Sequence, residues 1–419
     1  MLQSIHSGIR KELDKNDKLL KHGLIILIAS LGTGFVNYVY QLYMGRTLGP
    51  EQYGVLGALF SIIYMEMFSL GSISTVVSKL VAEYKAKNKL GEIKALFSFI
   101  STRLLAVGFV VMMITILLKN FISGYLNLPN ASVVYILAVI LLISCIGPIV
   151  GGMLNGMQFF VWSGASGFIG SLFKLAAGVL LVYLGLGVRG ALIGLLIGLI
   201  IPIILFLIPA KEVLKATKKK INHFDVFKYA IPAIIIVMAI TMIVNIDVIL
   251  VRHKFNAFDS GIYAAASTLA KIIFFAASPL ITVMLPKVSN GNGKKILRQT
   301  LFYVLLIGAG MSAVYFIAPT FIVKTLFGAS YVDAVKIIGL FGLGVALFSV
   351  NNVFAVYNLA IKRLNMAYFA ILALIIEVIL INFIATTILE VVKIVLVVNI
   401  ALLLAMLAYT KDYLVNGHA

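Results

Sequence analysis

Six charged residues interrupt long apolar runs of this 419-residue chain, and they are the side chains with which it could do chemistry. A charge at the centre of a membrane helix costs about 2.5–3.5 kcal/mol on insertion scales, so such residues usually face a cavity or a partner. Three of the six are cations and three are acids. They are Glu66, Arg103, Lys174, Asp247, Lys271 and Glu377.

The three cations, Arg103, Lys174 and Lys271, are of types that bind anionic oxygen atoms. Arginine binds phosphate or carboxylate through two parallel hydrogen bonds, and lysine binds as a point charge. We therefore predict a cavity for an anionic substrate, in which Glu66 holds the cations when the cavity is empty. The alternative is structural: Glu66 pairs with Lys271 or Arg103 to lock helices, and Lys174 snorkels or pairs locally.

The remaining acids, Asp247 and Glu377, are candidates for coupling transport to Na⁺ or H⁺, together with Asn245. A structural alternative has Asp247 capping its helix and pairing with Arg252. The five histidines are scattered and the one cysteine, Cys145, lies in an apolar run, so we predict no metal site. We also expect no catalytic residue, no cofactor other than a coupling ion, and no enzymatic activity.

The elements that position these residues are predicted to be membrane helices. Hydrophobic residues make up 62% of the chain and charged residues 12%, and the mean hydropathy is +1.10. About 20 apolar residues cross a bilayer core as a helix, and we count twelve such runs. The predicted spans are 23–44, 55–78, 95–118, 133–154, 160–184, 188–209, 229–251, 262–285, 301–321, 337–359, 367–388 and 394–410. The sequence thus predicts an all-α polytopic membrane protein.

The net charge of +19 is distributed by membrane side. With the N-terminus inside, 23 of the 34 Lys and Arg residues fall on inner segments, 8 on outer segments and 3 within spans. This is the positive-inside pattern, so we predict a cell-membrane protein whose two termini are both cytoplasmic. The charge therefore does not indicate a nucleic-acid partner; membrane lipids are the secondary one. Residues 1–21 are polar, and we expect no cleavable signal peptide.

A repeat organises the chain. The stretch 37–59 recurs, in altered form, 208 residues later, so that Asn37 corresponds to Asn245 and Glu51 to Asp259. Internal repeats of this kind are typical of transporters with a site at the repeat interface. We predict two similar six-helix lobes, residues 1–215 and 216–419, related by an axis along the membrane normal, with the basic linker 211–228 between them.

Two signals of soluble enzymes are absent or misleading. Residues 185–190 match G-x-G-x-x-G, but they lie in a tight turn between two spans, without the strand of a dinucleotide fold. The longest linker has about 18 residues, which leaves little room for the catalytic domain of a membrane glycosyltransferase or polymerase.

Several stretches resemble the polysaccharide-biosynthesis, O-antigen-type flippases of the multidrug/oligosaccharidyl-lipid/polysaccharide (MOP) exporter superfamily. They are GRTLGPEQYGVLGALFSI, SKLVAEYKAKNKLGE, GGMLNGMQ, GLGVRGALIG, NIDVILVRHKF and GIYAAASTLAK, in chain order over nearly the whole sequence. The resemblance implies about 12 transmembrane helices in two pseudo-symmetric lobes around a central cavity, as in MATE transporters. It also implies a flippase that moves a lipid-diphosphate-linked oligosaccharide to the outer leaflet by alternating access.

The partners that follow are a polyprenyl-diphosphate-linked oligosaccharide, membrane lipids and a glycan polymerase or ligase that uses the product, and we expect a monomer. An ion-coupled drug or cation antiporter of the same superfamily is the main alternative. Such a transporter is expected to have a charge-poor aromatic drug site, so the three intramembrane cations argue against it.

Overall fold

A computed structural model describes residues 2–219, 234, 237–288, 293–361, 363 and 365–416, with side chains from residue 28 onward except 285, 286 and 411–416. Helices occupy almost all of these residues, and the described residues contain no strand. The predicted all-α class is therefore confirmed.

The first helix, α1 (Leu2–Ala86), contains the first two predicted spans. Its apolar part, residues 28–86, is 59 residues long and would extend about 88 Å if straight, nearly three times the bilayer core. The run is broken at Gly49, whose φ of 73° and ψ of 173° are not helical, and Pro50 follows. Glycine adopts this positive φ without strain, and proline fits the first turn of the next helix. The corner between the spans is therefore one residue wide.

The other helices of the first half correspond to the remaining predicted spans of that half and to the short segments between them. They are α2 (Leu90–Leu117), α3 (Lys119–Tyr125), α4 (Ser132–Ser144), α5 (Gly147–Gly156), α6 (Phe160–Leu181), α7 (Gly187–Phe206) and α8 (Lys211–Lys215). The predicted fourth span is divided between α4 and α5. A π-helical turn, Val182–Leu186, and the positive φ angles of Gly185 and Gly187 join α6 to α7, so the glycine motif is a helix-to-helix turn as predicted.

The second half of the chain begins with the seventh predicted span and has a similar order of helices. Its helices are α9 (Ile246–Lys254), α10 (Ala257–Val288), α11 (Gly293–Ile317), α12 (Pro319–Leu326), α13 (Val335–Ala360), α14 (Met366–Phe383) and α15 (Ile388–Asn416), with a 3₁₀ turn at Ala329–Ala334. Part of the seventh span, and the linker from residue 220 onward, lie outside the described residues.

Nine helical segments within the described residues are long and apolar enough to cross a membrane. Two of them, 28–86 and 160–206, each contain two predicted spans, so the nine segments account for eleven of the twelve predictions. The twelfth is the partly described seventh span. The multi-pass architecture is confirmed.

The chain forms two compact units. The first contains residues 1–41, 70–114 and 138–230, and the second contains 42–69, 115–137 and 231–419. In the first unit α6 and α7 pack along their length, and in the second α13 packs against α10, α11 and α15. The lobes proposed from the repeat, 1–215 and 216–419, stay a prediction.

Candidate functional site

The first unit contains a buried lysine. Lys174, on α6, is only 5% exposed, and its Nζ donates a hydrogen bond to Oδ1 of Asn37 on α1 at 3.0 Å. The same ammonium group lies 4.2 Å from the centroid of the Tyr40 ring, within the range of a cation–π contact. Lys174 is thus held by an amide oxygen and an aromatic face in a largely apolar setting.

Helix packing explains why Lys174 is buried. Gly198 of α7 lies so close to α6 that a Cβ on it would come 2.6 Å from the Lys174 Cβ. Tyr40 in turn donates its hydroxyl to the backbone oxygen of Ala191 on α7 at 2.6 Å. The α6–α7 pair therefore fixes both the lysine and the aromatic ring beneath it.

The second unit contains a pair of the same kind. Lys271, on α10, donates from Nζ to Oδ1 of Asn245 at 3.0 Å. Asn245 is buried just before α9, and its own amide nitrogen donates to the backbone oxygen of Thr241 at 2.8 Å. That second bond orients the amide, because it directs Nδ2 to the backbone and leaves Oδ1 to accept from the lysine.

The two asparagines are the residues that the repeat makes equivalent, Asn37 in the first copy and Asn245 in the second. Each accepts from a lysine at the same distance, 3.0 Å. The repeat thus marks the position of a shared lysine–asparagine pair, although the sequence did not show which lysine each asparagine would meet.

Two carboxylates are buried in the second unit. Asp247 on α9 is 2% exposed; its Oδ2 accepts from the Tyr263 hydroxyl at 2.7 Å, and its Oδ1 has no hydrogen-bond partner within the described part of the chain. Glu377 on α14 is fully buried, and neither of its oxygens has such a partner there. The two acids interact electrostatically with each other, and Asp247 also interacts with Lys271. Unfilled acceptor positions on buried acids are costly unless a proton or cation occupies them.

A small cavity adjoins Asp247. It measures about 10 Å³, and its lining includes Asp247, Gly344 and Asn399. This volume is enough for about one water molecule. Asn399 also receives a hydrogen bond from Asn351 at 3.2 Å, so amide groups extend the polar surface beyond Asp247.

The other predicted cavity charges occupy separate helices. Glu66 is partly buried on the second half of α1, and Arg103 is exposed on α2 with its guanidinium 5.7 Å from the centroid of Phe99. Lys271 uses Asn245, rather than a carboxylate, as its hydrogen-bond acceptor. The structure therefore brings together Asn245, Lys271 and Asp247, with Glu377 near Asp247.

The hydrogen bonds described for Arg252 go to partners other than Asp247, with which the structural alternative paired it; the capping role in that alternative stays a prediction. Arg252 is buried and donates from Nε to the Leu126 oxygen at 2.9 Å and from an Nη to the Asn127 oxygen at 2.7 Å. Asp247 and Arg252 are five positions apart along α9, and this spacing does not place them side by side on one face of a helix. Asp247 bonds to Tyr263 instead.

Sequence reasoning missed several contributors: Tyr40, Tyr263 and Asn399. Aromatic and amide residues are common in apolar spans, and nothing in their spacing distinguishes these three. Asn37 was found as the start of the repeat but not as a lysine acceptor; a polar amide recurring inside two apolar helices was the signal that could have identified it.

Comparison with known proteins shows the family to which the chain belongs. A family model described as "Polysaccharide biosynthesis protein" matches residues 19–292, well over half of the sequence. An uncharacterized membrane protein of Methanocaldococcus jannaschii is 25% identical over 301 residues, covering 67% of this chain and 70% of that protein.

Solved structures of transporters share the fold. An inward-facing multidrug resistance MATE family transporter of the MOP superfamily superimposes with a TM-score of 0.72 at 10% identity, covering 92% of this chain and 96% of that one. The lipid II flippase MurJ, in an inward closed conformation, also gives 0.72, at 18% identity, covering 92% of this chain and 87% of that one. The expected MOP-type fold is confirmed.

Proposed function

We propose that this chain, which belongs to the polysaccharide biosynthesis protein family, moves a lipid-diphosphate-linked oligosaccharide from the inner to the outer leaflet by alternating access. The observation that carries the proposal is the pair of lysines, one buried and one partly buried, bonded to equivalent asparagines, Lys174 to Asn37 and Lys271 to Asn245. An amide oxygen satisfies an ammonium donor without cancelling its charge. An ammonium group held in this way can also donate to the oxygens of an anionic substrate.

The chemistry of the substrate explains the need for these cations. A lipid diphosphate brings about two negative charges into a low-dielectric region, where an unpaired charge costs several kcal/mol. Within its own unit, each lysine can offset part of this cost as a point charge, and Arg103 can bind two phosphate oxygens at once.

The drug-antiporter alternative has weaker support. The family match is to polysaccharide biosynthesis, whereas the likeness to a MATE transporter is at 10% identity and concerns the fold alone. A cationic drug would also be repelled by Lys174 and Lys271, which a diphosphate would attract.

The test is leaflet-resolved transport of a polyprenyl-diphosphate oligosaccharide in proteoliposomes. We expect Arg103→Ala, Lys174→Ala and Lys271→Ala each to lower the rate about tenfold or more, since a hydrogen bond to a charged group contributes about 1.5–3 kcal/mol. Lys336→Ala is the matched control, because Lys336 is an exposed cation paired with Asp333 at 2.8 Å. If all three folded variants transport at the wild-type rate, the proposal fails.

We further propose that Asp247 and Glu377 bind the Na⁺ or H⁺ that drives transport. The unfilled acceptor atoms of both acids support this role, as does the small cavity beside Asp247. Asn245, predicted with them, is assigned instead to orienting Lys271. Asp247→Asn should abolish the dependence of transport on the ion gradient while leaving substrate binding intact. A variant that keeps the wild-type ion dependence would assign Asp247 a structural role.

The orientation is also a proposal: both termini face the cytoplasm, as the 23-to-8 charge split predicts. In a Cys145→Ser background, cysteines at Lys219 and Lys295 should react with an impermeant reagent only from inside, and one at Asn130 only from outside. Tyr331, also predicted to lie outside, is buried, so the exposed Ser330 is the better labelling site. Labelling of position 219 from outside in intact cells would reverse the topology.

A further inference from the structure

Arginines at the two corners of the repeat hold the ends of short helices in the opposite half of the chain. Arg46, in the first half, donates from Nε to the Leu326 backbone oxygen at 2.9 Å and from an Nη to the Thr325 oxygen. Leu326 is the last residue of α12, in the second half. The last carbonyl groups of a helix lack partners within it and carry partial negative charge, so a guanidinium group is a suitable partner.

The second copy of the repeat makes the converse contact. Arg252, in the second half, donates to the backbone oxygens of Leu126 and Asn127 at 2.9 and 2.7 Å, and to Ser260 Oγ at 2.9 Å. Leu126 and Asn127 directly follow α3, in the first half. The helices α3 and α12 begin 200 residues apart and follow the third predicted span of their respective halves. The two contacts are therefore reciprocal.

Further bonds join the halves around each arginine. The Tyr331 hydroxyl donates to the Gly45 backbone oxygen at 2.6 Å, next to Arg46. The Asn127 side chain donates to the backbone oxygens of Arg252 and His253 at 3.3 and 3.2 Å. The His253 ring also stacks on Tyr125 with 3.9 Å between centroids. Each arginine thus belongs to a set of bonds between the same two segments.

The corners themselves are in backbone contact. A Cβ on Gly261 would lie 1.8 Å from the Pro50 oxygen, and one on Gly54 would lie 2.8 Å from the Gly261 nitrogen. The same two helices, α1 and α10, are also joined by a hydrogen bond between the Tyr53 hydroxyl and Thr268 Oγ1, which are 2.9 Å apart. We call this contact between α1 and α10 the seam. All these residues belong to the second compact unit. Nothing larger than a hydrogen atom fits between the backbones at the corner.

We propose that Arg46 and Arg252 form a reciprocal latch that closes this end of the protein and must release once in each transport cycle. The connections after spans one, three, seven and nine all lie on one side of the membrane, which is the outer side in the proposed topology. The inference rests on the proposed function, because an outer closure matters only to a protein that alternates its access. Carbonyl acceptors suit a reversible latch, since breaking it leaves no buried carboxylate unpaired.

The test measures opening of the seam directly. Thr268→Cys in a Cys145→Ser background places a thiol beneath the latch, and an impermeant maleimide reaches it from outside only when the seam opens. We expect Arg46→Ala and Arg252→Ala each to raise the labelling rate about tenfold or more, as loss of charge-assisted hydrogen bonds predicts. Arg46→Lys and Arg252→Lys should give smaller increases, because lysine lacks the planar fork of arginine.

Lys254→Ala is the matched control. Lys254 makes the same kind of contact, donating to the Ile381 and Asn382 oxygens at 2.8 and 2.6 Å at the end of α14, but both partners lie in its own half. We expect this variant to leave the labelling rate unchanged. Because Arg46 is exposed, Arg46→Ala keeps the test valid if the buried Arg252 cannot be replaced without loss of folding.

The outcomes separate the latch from the proposed function. If the arginine variants are labelled faster but the wild-type protein does not transport a lipid-linked oligosaccharide, the latch is supported and the substrate assignment is overturned. Transport with unchanged labelling in Arg46→Ala and Arg252→Ala would overturn the latch alone. Lower thermal stability with unchanged labelling would likewise reduce both arginines to structural helix caps.

Discussion

Replacing Asn37 by aspartate tests whether the buried Lys174 binds an anion. Asn37→Asp keeps the shape of the side chain and the hydrogen bond to Lys174, but it adds a negative charge at 3.0 Å from Nζ. At an effective dielectric constant of about 20, that pair attracts by about 5 kcal/mol, and desolvation of the new carboxylate offsets several kcal/mol. The folded protein should therefore change little in stability, by about 2 kcal/mol or less.

Substrate binding should change much more. A diphosphate would meet a lysine already neutralised by the new carboxylate, so its affinity should fall about tenfold to a hundredfold, or about 1.4–2.8 kcal/mol. The assay is isothermal titration of a polyprenyl-diphosphate oligosaccharide into protein in nanodiscs, with thermal unfolding as a check. Asn245→Asp, next to Lys271, should have an effect in the same direction.

The control is Asn37→Ala, which removes the hydrogen bond to Lys174 without adding a negative charge beside it. We expect it to bind substrate more tightly than Asn37→Asp, although it loses an acceptor for a buried donor. The opposite order in folded protein would refute the reasoning, because it would show that the hydrogen bond, and not the charge, is what matters at Lys174.

Two further predictions concern stability. Tyr263→Phe should lower the free energy of unfolding by about 1–3 kcal/mol, because it removes a buried side-chain hydrogen bond to the Asp247 carboxylate; the exposed Tyr303→Phe is the control, and equal melting temperatures would contradict this. Gly261→Ala should destabilise the folded state strongly, since its Cβ would lie 1.8 Å from a backbone oxygen, whereas Gly310→Ala, in open space on a helix, should be neutral or stabilising in the same melting assay.

The fold could be predicted from the sequence because a bilayer leaves few choices. Apolar runs of about 20 residues must be helices, since every backbone group has to find its hydrogen bond within the segment. The exact positions of the turns were harder to predict from the sequence. The first two predicted spans leave residues 45–54 between them, whereas the helix continues to Gly49 and breaks at that single residue. Its position depends on one positive φ angle and the proline that follows.

The site was predictable in its residue types but not in its partners. The free-energy cost of placing a charged side chain inside a membrane helix drew attention to Lys174, Lys271, Asp247 and Glu377. All four are buried or partly buried. Their contacts depend on which helices pack together. Lys174 meets an asparagine 137 residues away, and no local pattern encodes such a distance.

The origin of the two lysines bears on their role. The duplication carries the asparagine, since Asn37 and Asn245 are 208 residues apart, but it does not carry the lysines. The residue 208 positions after Lys174 is Asn382, and the residue 208 positions before Lys271 is Ile63. Each half therefore supplies its lysine from a different helix, yet both ammonium groups reach the equivalent amide oxygen at 3.0 Å. If the duplication had preserved this contact through helix packing alone, the lysines as well as the asparagines would lie at equivalent positions. The lysines do not, yet both reach the equivalent amide oxygen. This favours a requirement for a cation at that amide.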